Sequence, residues 1–279
     1  MSSTTCSNSN ILRWSGCKRL LAEEIVSYIP YKKYNTYYEP FCGSCSVFKQ
    51  VQNTRNCKYF YLSDKNSDLI SLLQRIKDNP KDLYLSYKKM WKKLSNKESI
   101  DDKKEYYLKI REKFNESRNP DLFFFLLRTC YNSLVRYNSK NEFNSSFHLT
   151  RNGMTPDKIK KLLKEWTKFF NDKKVTIRCH DFSIIESSKK DLMFCDPPYV
   201  STKGMYFCDF NNKKFEKFIK KSDGFVLFTY DGKVINREDT SKSFKDFRKV
   251  FLQPLNSSFR RLKNDKDALV RESLFIKQF

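Results

Sequence analysis

The sequence predicts an α/β fold in which strands from both ends of the chain form one sheet and a helical region is inserted between them. Short apolar runs bounded by turn residues, most clearly Leu192–Cys195, have the length and composition of buried parallel strands. Residues 66–171 instead repeat apolar side chains at helical spacing, which predicts a separate helical lobe between a sheet domain of residues 1–65 and 172–279. The strand patterns that return after the insertion lie at 175–179, 192–195, 224–229, 249–255 and 268–276, with a helix at 213–221.

Two strands and a glycine-containing loop precede the helical region. The elements are a helix at 19–29, which Pro30 ends, and strands at 37–41 and 58–62. Small residues at 42–46 lie between these strands and let the backbone approach a ligand closely. Asp64 follows the second strand, about 20 residues after Gly43, which is the spacing at which an acidic residue binds the hydroxyls of a ribose. The loop and this acid together predict a cofactor that contains a nucleoside.

The inserted region is the most basic part of the chain. Helical patterns run through 67–76, 83–94, 106–114, 122–134 and 155–170, interrupted by Pro80 and Pro120. Lysines dominate the polar faces, which is typical of solvated helices. The segment 131–147 is different, because it is rich in Asn, Ser, Tyr and Arg, the side chains that read base edges and stack on bases. We therefore predict nucleic-acid contacts in this segment, among them Tyr131, Asn138 and Asn144.

The strand at 192–195 ends in the motif D-P-P-Y. Pro197 and Pro198 prevent a helix or a strand ladder from continuing after Asp196. At the carboxyl end of a strand, where open α/β sheets bind ligands, the Asp196 carboxylate and the Pro197 carbonyl can accept the two hydrogens of an exocyclic amino group. Tyr199 can stack on the same nucleobase, and the nitrogen lone pair then faces an electrophile. The alternative is an ordinary turn after a core strand, because a motif this short also occurs by chance.

The charge of the chain predicts a polyanionic partner. Its 279 residues include 55 Lys and Arg against 32 Asp and Glu, a net charge of +23. Aromatic residues make up 16% of the chain, so it is not a disordered basic tail. Nucleic acid is the first expectation and a membrane surface the second. A codon bias toward Lys, Asn, Phe and Tyr is an alternative origin of the charge, which therefore serves as support only.

The cysteines and the amino terminus predict an intracellular protein that is not secreted, in the cytoplasm, the nucleus or a viral factory. No apolar run reaches the length of a membrane span, and residues 1–10 lack the core of a signal peptide. Nine scattered cysteines favour reduced thiols over a disulfide framework. Cys42 and Cys45 form a C-x-x-C pair, but a zinc site would require a second pair. A redox or nucleophilic role for the pair is less favoured than a role as small loop residues, and no metal site is predicted.

Seven segments, in this order along the chain, resemble the Dam-like family of adenine-specific DNA methyltransferases. They are W-S-G-C-K at 14–18, E-P-F-C-G-S-C-S-V-F at 39–48, S-D-K-N-S-D-L-I at 63–70, Y-N-S-L-V-R-Y-N at 131–138, E-F-N at 142–144, D-F at 181–182 and D-P-P-Y at 196–199. The segments are spread over residues 14–199, which is most of the chain. No single one is decisive, but seven in order are highly specific.

The resemblance implies a Rossmann-like sheet, S-adenosylmethionine as methyl donor, and target recognition by the lobe at 66–171. The residues that it places at the cofactor are Trp14, Lys18, Phe41, Gly43, Ser44, Asp64, Asp181, Phe182 and Asp196. Among them, Asp64 would hold the ribose hydroxyls, and Asp181 and Phe182 the adenine of the cofactor. For Trp14 the alternative is a core position, which is the usual place of an isolated tryptophan. Asp196, Pro197, Pro198 and Tyr199 would be catalytic.

The same resemblance implies double-stranded DNA as substrate, with GATC as a default site, and a target adenine that is flipped out of the helix. Asn132, Ser133 and Arg136 match positions at which family members touch or wedge into DNA. A cognate restriction endonuclease is a possible partner, and a monomer or a weak dimer on DNA is expected.

Several residues depart from the family pattern. Cys17 and Cys45 stand in place of glycines, and cysteine would be strained at Cys45 if that position has a positive φ. Asn141 and Ser133 also replace glycines, and Ser146 replaces a proline. Two alternatives stay open on the sequence alone. One is a methyltransferase that acts on RNA or protein, and the other is a catalytically inactive, basic DNA-binding relative.

Overall fold

The computed structural model describes residues 10–171, 174–198, 210–230, 243–256, 269–270 and 272–277. The strands are β1 (Lys33–Glu39), β2 (Asn56–Asp64), β3 (Lys174–Cys179), β4 (Leu192–Cys195), β5 (Phe225–Tyr230), β6 (Arg248–Phe251), β7 (Leu255–Asn256), β8 (Leu269–Val270) and β9 (Ser273–Lys277). A seven-stranded sheet has the order β3-β2-β1-β4-β5-β9-β6, and β7 pairs with β8 alone. The predicted α/β fold is confirmed.

The large sheet reverses its strand order between β1 and β4. From β1 the chain moves outward to β2 and β3 on one side, and then returns to place β4 and β5 on the other. These five strands are parallel, whereas β9 is antiparallel to both β5 and β6. The carboxyl ends of β1 and β4 are therefore neighbours, and a crevice at such a reversal is where open α/β sheets bind ligands.

Successive residues of β4 pack into two cores on opposite faces of the sheet. Leu192 and Phe194 belong to the larger core, and Met193 and Cys195 belong to the smaller one. This follows from the two-residue repeat of a strand. All four residues are buried, which explains why β4 appears in the sequence as an uninterrupted apolar run.

The helices of the inserted region share the larger core with the sheet. These helices are α3 (Ser67–Asp78), α4 (Pro80–Ser95), α5 (Ile100–Ser117), α6 (Pro120–Thr129) and α7 (Pro156–Asn171). The helices outside the insertion are α1 (Ala22–Ser27), α2 (Ser46–Thr54) and α8 (Asn212–Lys221). Helix α3 packs against β2 and β3, and α7 packs against β3, α3 and α4. The division of the chain at residues 65 and 172 stays a prediction. No helix in the described part of the chain has the length and hydropathy needed to cross a bilayer.

Some predicted element boundaries were wrong. The helix expected at 122–134 ends at Thr129, because Cys130 is extended and bridges to Phe147, and Asn132 then turns the chain with a φ of 47°. Pro80 and Pro120 are the first residues of helices, where the missing N–H has no partner to lose. The pattern at 19–29 was too long because its first residues form a turn, and the expected strands at 37–41, 249–255 and 268–276 are replaced by β1, β6 and the pair β8 and β9.

Candidate active site

Asp196 lies at the carboxyl end of β4, where two donors from other elements hold it. Its Oδ1 lies 2.8 Å from Lys18 Nζ and accepts a hydrogen bond of 2.5 Å from Thr229 Oγ1, near the end of β5. Lys18 is only 6% exposed. Because a nearly buried ammonium group must be paired, Lys18 and Asp196 hold each other in place.

The prolines that follow Asp196 lie directly after the end of the strand, as the motif predicts. Strand β4 ends at Cys195, Pro197 is buried and Pro198 is half-buried. Tyr199 lies outside the described residues, so its stacking role stays a prediction.

Asp64, at the end of β2, anchors the loop that follows β1. Its Oδ2 accepts a hydrogen bond from the Gly43 N–H at 3.2 Å, and its Oδ1 accepts one from the Asn66 N–H at 3.0 Å. Burial raises the pKa of the Asp64 carboxyl from its usual 3.8 to about 6, although these backbone hydrogen bonds lower it. Asp64 and the Gly43 loop, which the sequence analysis linked by their spacing, are thus in direct contact.

The loop between β1 and α2 has little room for side chains. A Cβ atom on Gly43 would lie 3.3 Å from the Trp14 indole, so the ring covers this part of the loop. The same indole packs edge-on against Phe123, and Trp14 therefore belongs to the core and to the loop wall together. Cys45 has a φ of 57°, and a positive φ is the condition under which strain was predicted for a cysteine at this position.

The surroundings of the thiols and of the Ser44 hydroxyl in this loop do not favour a reactive role. Cys42 and Cys45 are free and buried, and burial raises the pKa of both thiols. The thiolate form that a redox or nucleophilic role needs is therefore disfavoured. Ser44 is buried as well, and its Oγ contacts Cys17 Sγ at 3.1 Å and Ser46 Oγ at 2.9 Å. It is the backbone of the loop, and not the Ser44 hydroxyl, that remains for a ligand.

Asp181 follows β3 and begins a short turn of helix. Its Oδ1 accepts hydrogen bonds from the N–H and the Oγ of Ser183, and it also lies 3.0 Å from Lys214 Nζ. Partial burial raises the pKa of the Asp181 carboxyl, but these donors outweigh burial and leave it below its usual value. Phe182 is buried next to Asp181 and packs against the Phe41 ring with centroids 5.2 Å apart. Asp181, Phe182 and Phe41 thus lie together, and their contact with the cofactor adenine stays a prediction.

Asp64 and Asp196 lie on the same edge of the sheet. They follow β2 and β4, the two neighbours of β1, so neighbouring strand spacings of about 4.8 Å place these two strand ends about 10 Å apart. The loop after β1 lies between them. Two carboxylates, one of them fixed by a lysine, therefore lie at one edge of the sheet with a backbone loop between them.

Comparison with known proteins gives the same assignment. Residues 14–266 match the family model of the D12 class N6 adenine-specific DNA methyltransferases. The Type II methyltransferase M1.LlaDCHI of Lactococcus lactis subsp. cremoris is 30% identical over 88% of this chain and 80% of its own. The DNA adenine methylase of Haemophilus influenzae is 34% identical over 68% of this chain and 63% of its own.

The chain belongs to the D12 class of N6 adenine-specific DNA methyltransferases. It is a methyltransferase enzyme, and the resemblance that its seven segments indicated is confirmed. A second relative, the Type II methyltransferase M.MjaIII of Methanocaldococcus jannaschii, is 28% identical over 86% of this chain and 79% of its own.

The methyltransferase presents most of its predicted DNA-contacting residues on one exposed segment. Tyr131, Asn132, Arg136 and Asn144 are exposed. Asn132 (φ 47°) and Asn141 (φ 58°) adopt the left-handed conformation that asparagine tolerates best after glycine. Asn138 instead holds the turn together, since its Oδ1 accepts from the N–H groups of Lys140 and Glu142. The side chain of Ser133 lies outside what the structure describes.

Sequence reasoning missed three residues of the methyltransferase site. Glu39 ends β1 inside the quoted E-P-F segment, but no role was predicted for it. Thr229 lies near the carboxyl end of a predicted strand, which is the only signal that could have found it. Glu272 lies 3.4 Å from Lys18 Nζ, and no local pattern links residues so far apart in the chain.

Glu39, the last residue of β1, is buried, and we expect it to give the protein an unusual dependence of stability on pH. Its Oε2 accepts a hydrogen bond of 2.5 Å from Tyr37 Oη. Burial raises the pKa of Glu39 from 4.5 to about 8, with a further contribution from nearby Asp196 and an opposing one from the Tyr37 hydrogen bond. Between these pH values the folded carboxyl keeps its proton and the unfolded one has lost it. Its stabilising contribution is therefore complete below pH 4.5 and is lost as the pH rises through about 8.

We expect Glu39→Gln to remove this loss. Relative to the variant, the wild type should lose about 3 kcal/mol of unfolding free energy between pH 6 and pH 9, because one pKa unit corresponds to about 1.4 kcal/mol. Urea unfolding at both pH values measures the difference, and the Asp64 transition, centred near pH 6, contributes little above it. Glu105→Gln, on an exposed carboxylate of α5, is the control. Parallel stability profiles for wild type and Glu39→Gln would show that Glu39 is ionised in the fold.

Proposed function

We propose that this methyltransferase transfers the methyl group of S-adenosylmethionine to the exocyclic amino group of an adenine flipped out of double-stranded DNA. The observation that carries the proposal is the position of Asp196. It lies at the carboxyl end of β4, held by Lys18 and Thr229, on the same sheet edge as Asp64 and the Gly43 loop.

The residues around the loop fit the cofactor. Asp64 already receives two backbone N–H groups, and its carboxylate is the acceptor proposed for the ribose hydroxyls. Asp181 and Phe182 are proposed to hold the cofactor adenine, and Trp14, Phe41 and the backbone of Gly43 and Ser44 to line its methionine part. The cofactor supplies an electrophilic methyl group bound to a sulfonium. Lys18 contributes by fixing Asp196 and by its positive charge beside the site.

The target base is proposed to bind through its amino group. Asp196 and the Pro197 carbonyl accept the two amino hydrogens and direct the nitrogen lone pair to the methyl carbon, while Tyr199 stacks on the ring. Flipping the base costs a few kcal/mol of stacking and pairing. As the nitrogen–carbon bond forms, the carbon–sulfur bond would break, the neutral thioether S-adenosylhomocysteine would leave, and the extra proton on nitrogen would pass to Asp196 or to water. The rate then comes mainly from holding the two reacting atoms in line, and the carboxylate stabilises the charge that grows on nitrogen.

The DNA is proposed to bind along the basic region at 66–171. Its charge favours the phosphate backbone, and the exposed segment from Tyr131 to Asn144 is proposed to read bases, with GATC as the default site. We propose that the protein works as a monomer or weak dimer in the cell compartment that holds its DNA, with a cognate endonuclease as a possible partner.

Arg136→Ala is expected to relax the discrimination at one base pair by about 1–3 kcal/mol, if the exposed guanidinium reads a guanine through two hydrogen bonds. The measurement compares methylation rates on the preferred site and on sites with single base-pair changes. Lys140→Ala, an exposed lysine in the next turn, should weaken all sites alike. If Arg136→Ala also weakens all sites by one factor, Arg136 is a phosphate contact.

The proposed function is tested by incubating the purified protein with radiolabelled S-adenosylmethionine and, in separate reactions, double-stranded DNA, RNA and protein. We expect label in DNA only, on the N6 atom of adenine, and sequencing of the modified bases gives the recognised site. Label in RNA or protein without label in DNA would favour the first alternative. Failure to bind the cofactor at millimolar concentration would favour an inactive DNA-binding protein.

A further inference from the structure

Thr229, in β5, contacts Asp196, and Glu272, next to β9, contacts Lys18; both strands lie beyond β4, on the side away from Asp64. Thr229 is fully buried in β5, and its hydroxyl donates directly to Asp196 Oδ1. Residues Cys195 and Phe228 are paired across β4 and β5, so the positions that follow them, Asp196 and Thr229, lie side by side. The contact is therefore built into the strand register and does not depend on a loop.

Glu272 lies near Lys18 and Asp196 because β9 is antiparallel to its neighbours β5 and β6. Its neighbour Ser273 is the first residue of β9 and pairs with Tyr230, the last residue of β5. The amino end of β9 thus lies at the edge where the parallel strands end. There the Glu272 Oε2 lies 3.4 Å from Lys18 Nζ, which also donates to the Gly16 carbonyl at 3.1 Å.

Asp196 and Glu272 form ion pairs with the same lysine, Lys18. Asp196 and Glu272 lie on the same buried ammonium group, at 2.8 and 3.4 Å, and each carboxylate is 19% exposed. A Lys18–Asp196 pair alone would be neutral overall, and its positive end would oppose the positive charge that grows on the attacking nitrogen. A second carboxylate on Lys18 restores a net negative charge, and in a partly buried site such charges are screened less than charges at the surface.

We propose that Thr229 and Glu272 are positioning residues for the methyl transfer: Thr229 fixes the orientation of the Asp196 carboxylate, and Glu272 balances Lys18 so that Asp196 keeps its negative potential toward the amino group. This inference rests on the proposed function. It assigns both residues an effect on the chemical step and none on cofactor binding. Neither residue touches the reacting atoms, so both act through Asp196.

The test compares variants that differ by one group. Thr229→Val keeps the shape of the side chain and removes the hydroxyl, whereas Thr229→Ser keeps the hydroxyl. Glu272→Gln removes one charge at nearly constant volume. We expect single-turnover methylation of DNA at saturating cofactor to fall about 10- to 100-fold in Thr229→Val and in Glu272→Gln, the size of an effect from misplaced catalytic groups. Thr229→Ser should stay within about threefold of wild type on the same scale.

Two further measurements separate positioning from a structural role. The cofactor dissociation constant and the melting temperature should be unchanged in Glu272→Gln, and the exposed Glu105→Gln serves as the matched control. In a Lys18→Met background the Glu272→Gln substitution should have a smaller effect on the rate, because the ammonium group through which Glu272 acts on Asp196 is gone.

Several results would overturn the inference. They are wild-type rates in both Thr229→Val and Glu272→Gln, an equal loss in Thr229→Ser and Thr229→Val, or the same Glu272→Gln penalty with and without Lys18. Each of these presupposes a wild-type protein that methylates DNA. A wild type that transfers no methyl group to DNA would instead remove the proposed function, so the two failures are distinct.

Discussion

Asp196→Ala is expected to reduce methyl transfer to DNA at least about 1,000-fold while the protein remains folded. The substitution removes the carboxylate that accepts an amino hydrogen and stabilises the charge on the attacking nitrogen. Folding should survive, because Lys18 keeps its contacts with Glu272 and the Gly16 carbonyl. Single-turnover rates with labelled cofactor and saturating DNA measure the effect, and thermal melting followed by circular dichroism measures folding.

Two further variants make this result specific. Asp82→Ala removes an exposed carboxylate of α4 and should leave the rate unchanged. Asp196→Asn keeps a carbonyl oxygen that accepts an amino hydrogen but loses the charge, so its rate should lie between those of wild type and Asp196→Ala. Wild-type methylation by a folded Asp196→Ala protein would end the proposed mechanism, because no other group of the motif carries a negative charge.

The parts of the site that could be predicted from the sequence are those that depend on local sequence patterns. The apolar run of β4 is continuous because both faces of the strand are buried, and the prolines that follow mark its end. Asp64 and Gly43 could be paired across the intervening helix because a β-α-β unit has a nearly fixed length. The contact between them therefore follows from local sequence and one general rule of α/β folds.

The parts that escaped prediction depend on which strands become neighbours. Thr229 reaches Asp196, and Glu272 reaches Lys18, only because β5 and the antiparallel β9 lie beyond β4, and local sequence patterns do not give the order of strands in a sheet. The early end of α6 was missed for a related reason. The apolar pattern continues past Thr129, but the bridge between Cys130 and Phe147 pulls the chain out of the helix. Tertiary pairing overrode local propensity at the end of α6, and it decided which strand ends meet around Asp196.

Asp64, which is partly buried, leads to the second large effect, which is a loss of cofactor affinity. Asp64→Asn should raise the cofactor dissociation constant about 100-fold, since two hydrogen bonds from ribose hydroxyls to a charged carboxylate become weaker bonds to a neutral amide. Folding should persist, because the variant removes a charge that burial disfavours. Calorimetric titration of S-adenosylmethionine into the protein measures the change, and Asp82→Asn is the exposed control.

The pH dependence of binding gives the sharper form of this prediction. The raised pKa of Asp64, about 6, means that the free protein carries a protonated carboxyl below that pH, whereas hydroxyl donors bind best to the ionised form. Wild-type affinity should therefore weaken as the pH falls through about 6, by up to about tenfold per pH unit, and Asp64→Asn should show a flat profile. If the variant follows the same curve as the wild type, another group controls the titration. If it also binds the cofactor as tightly, Asp64 does not hold the ribose.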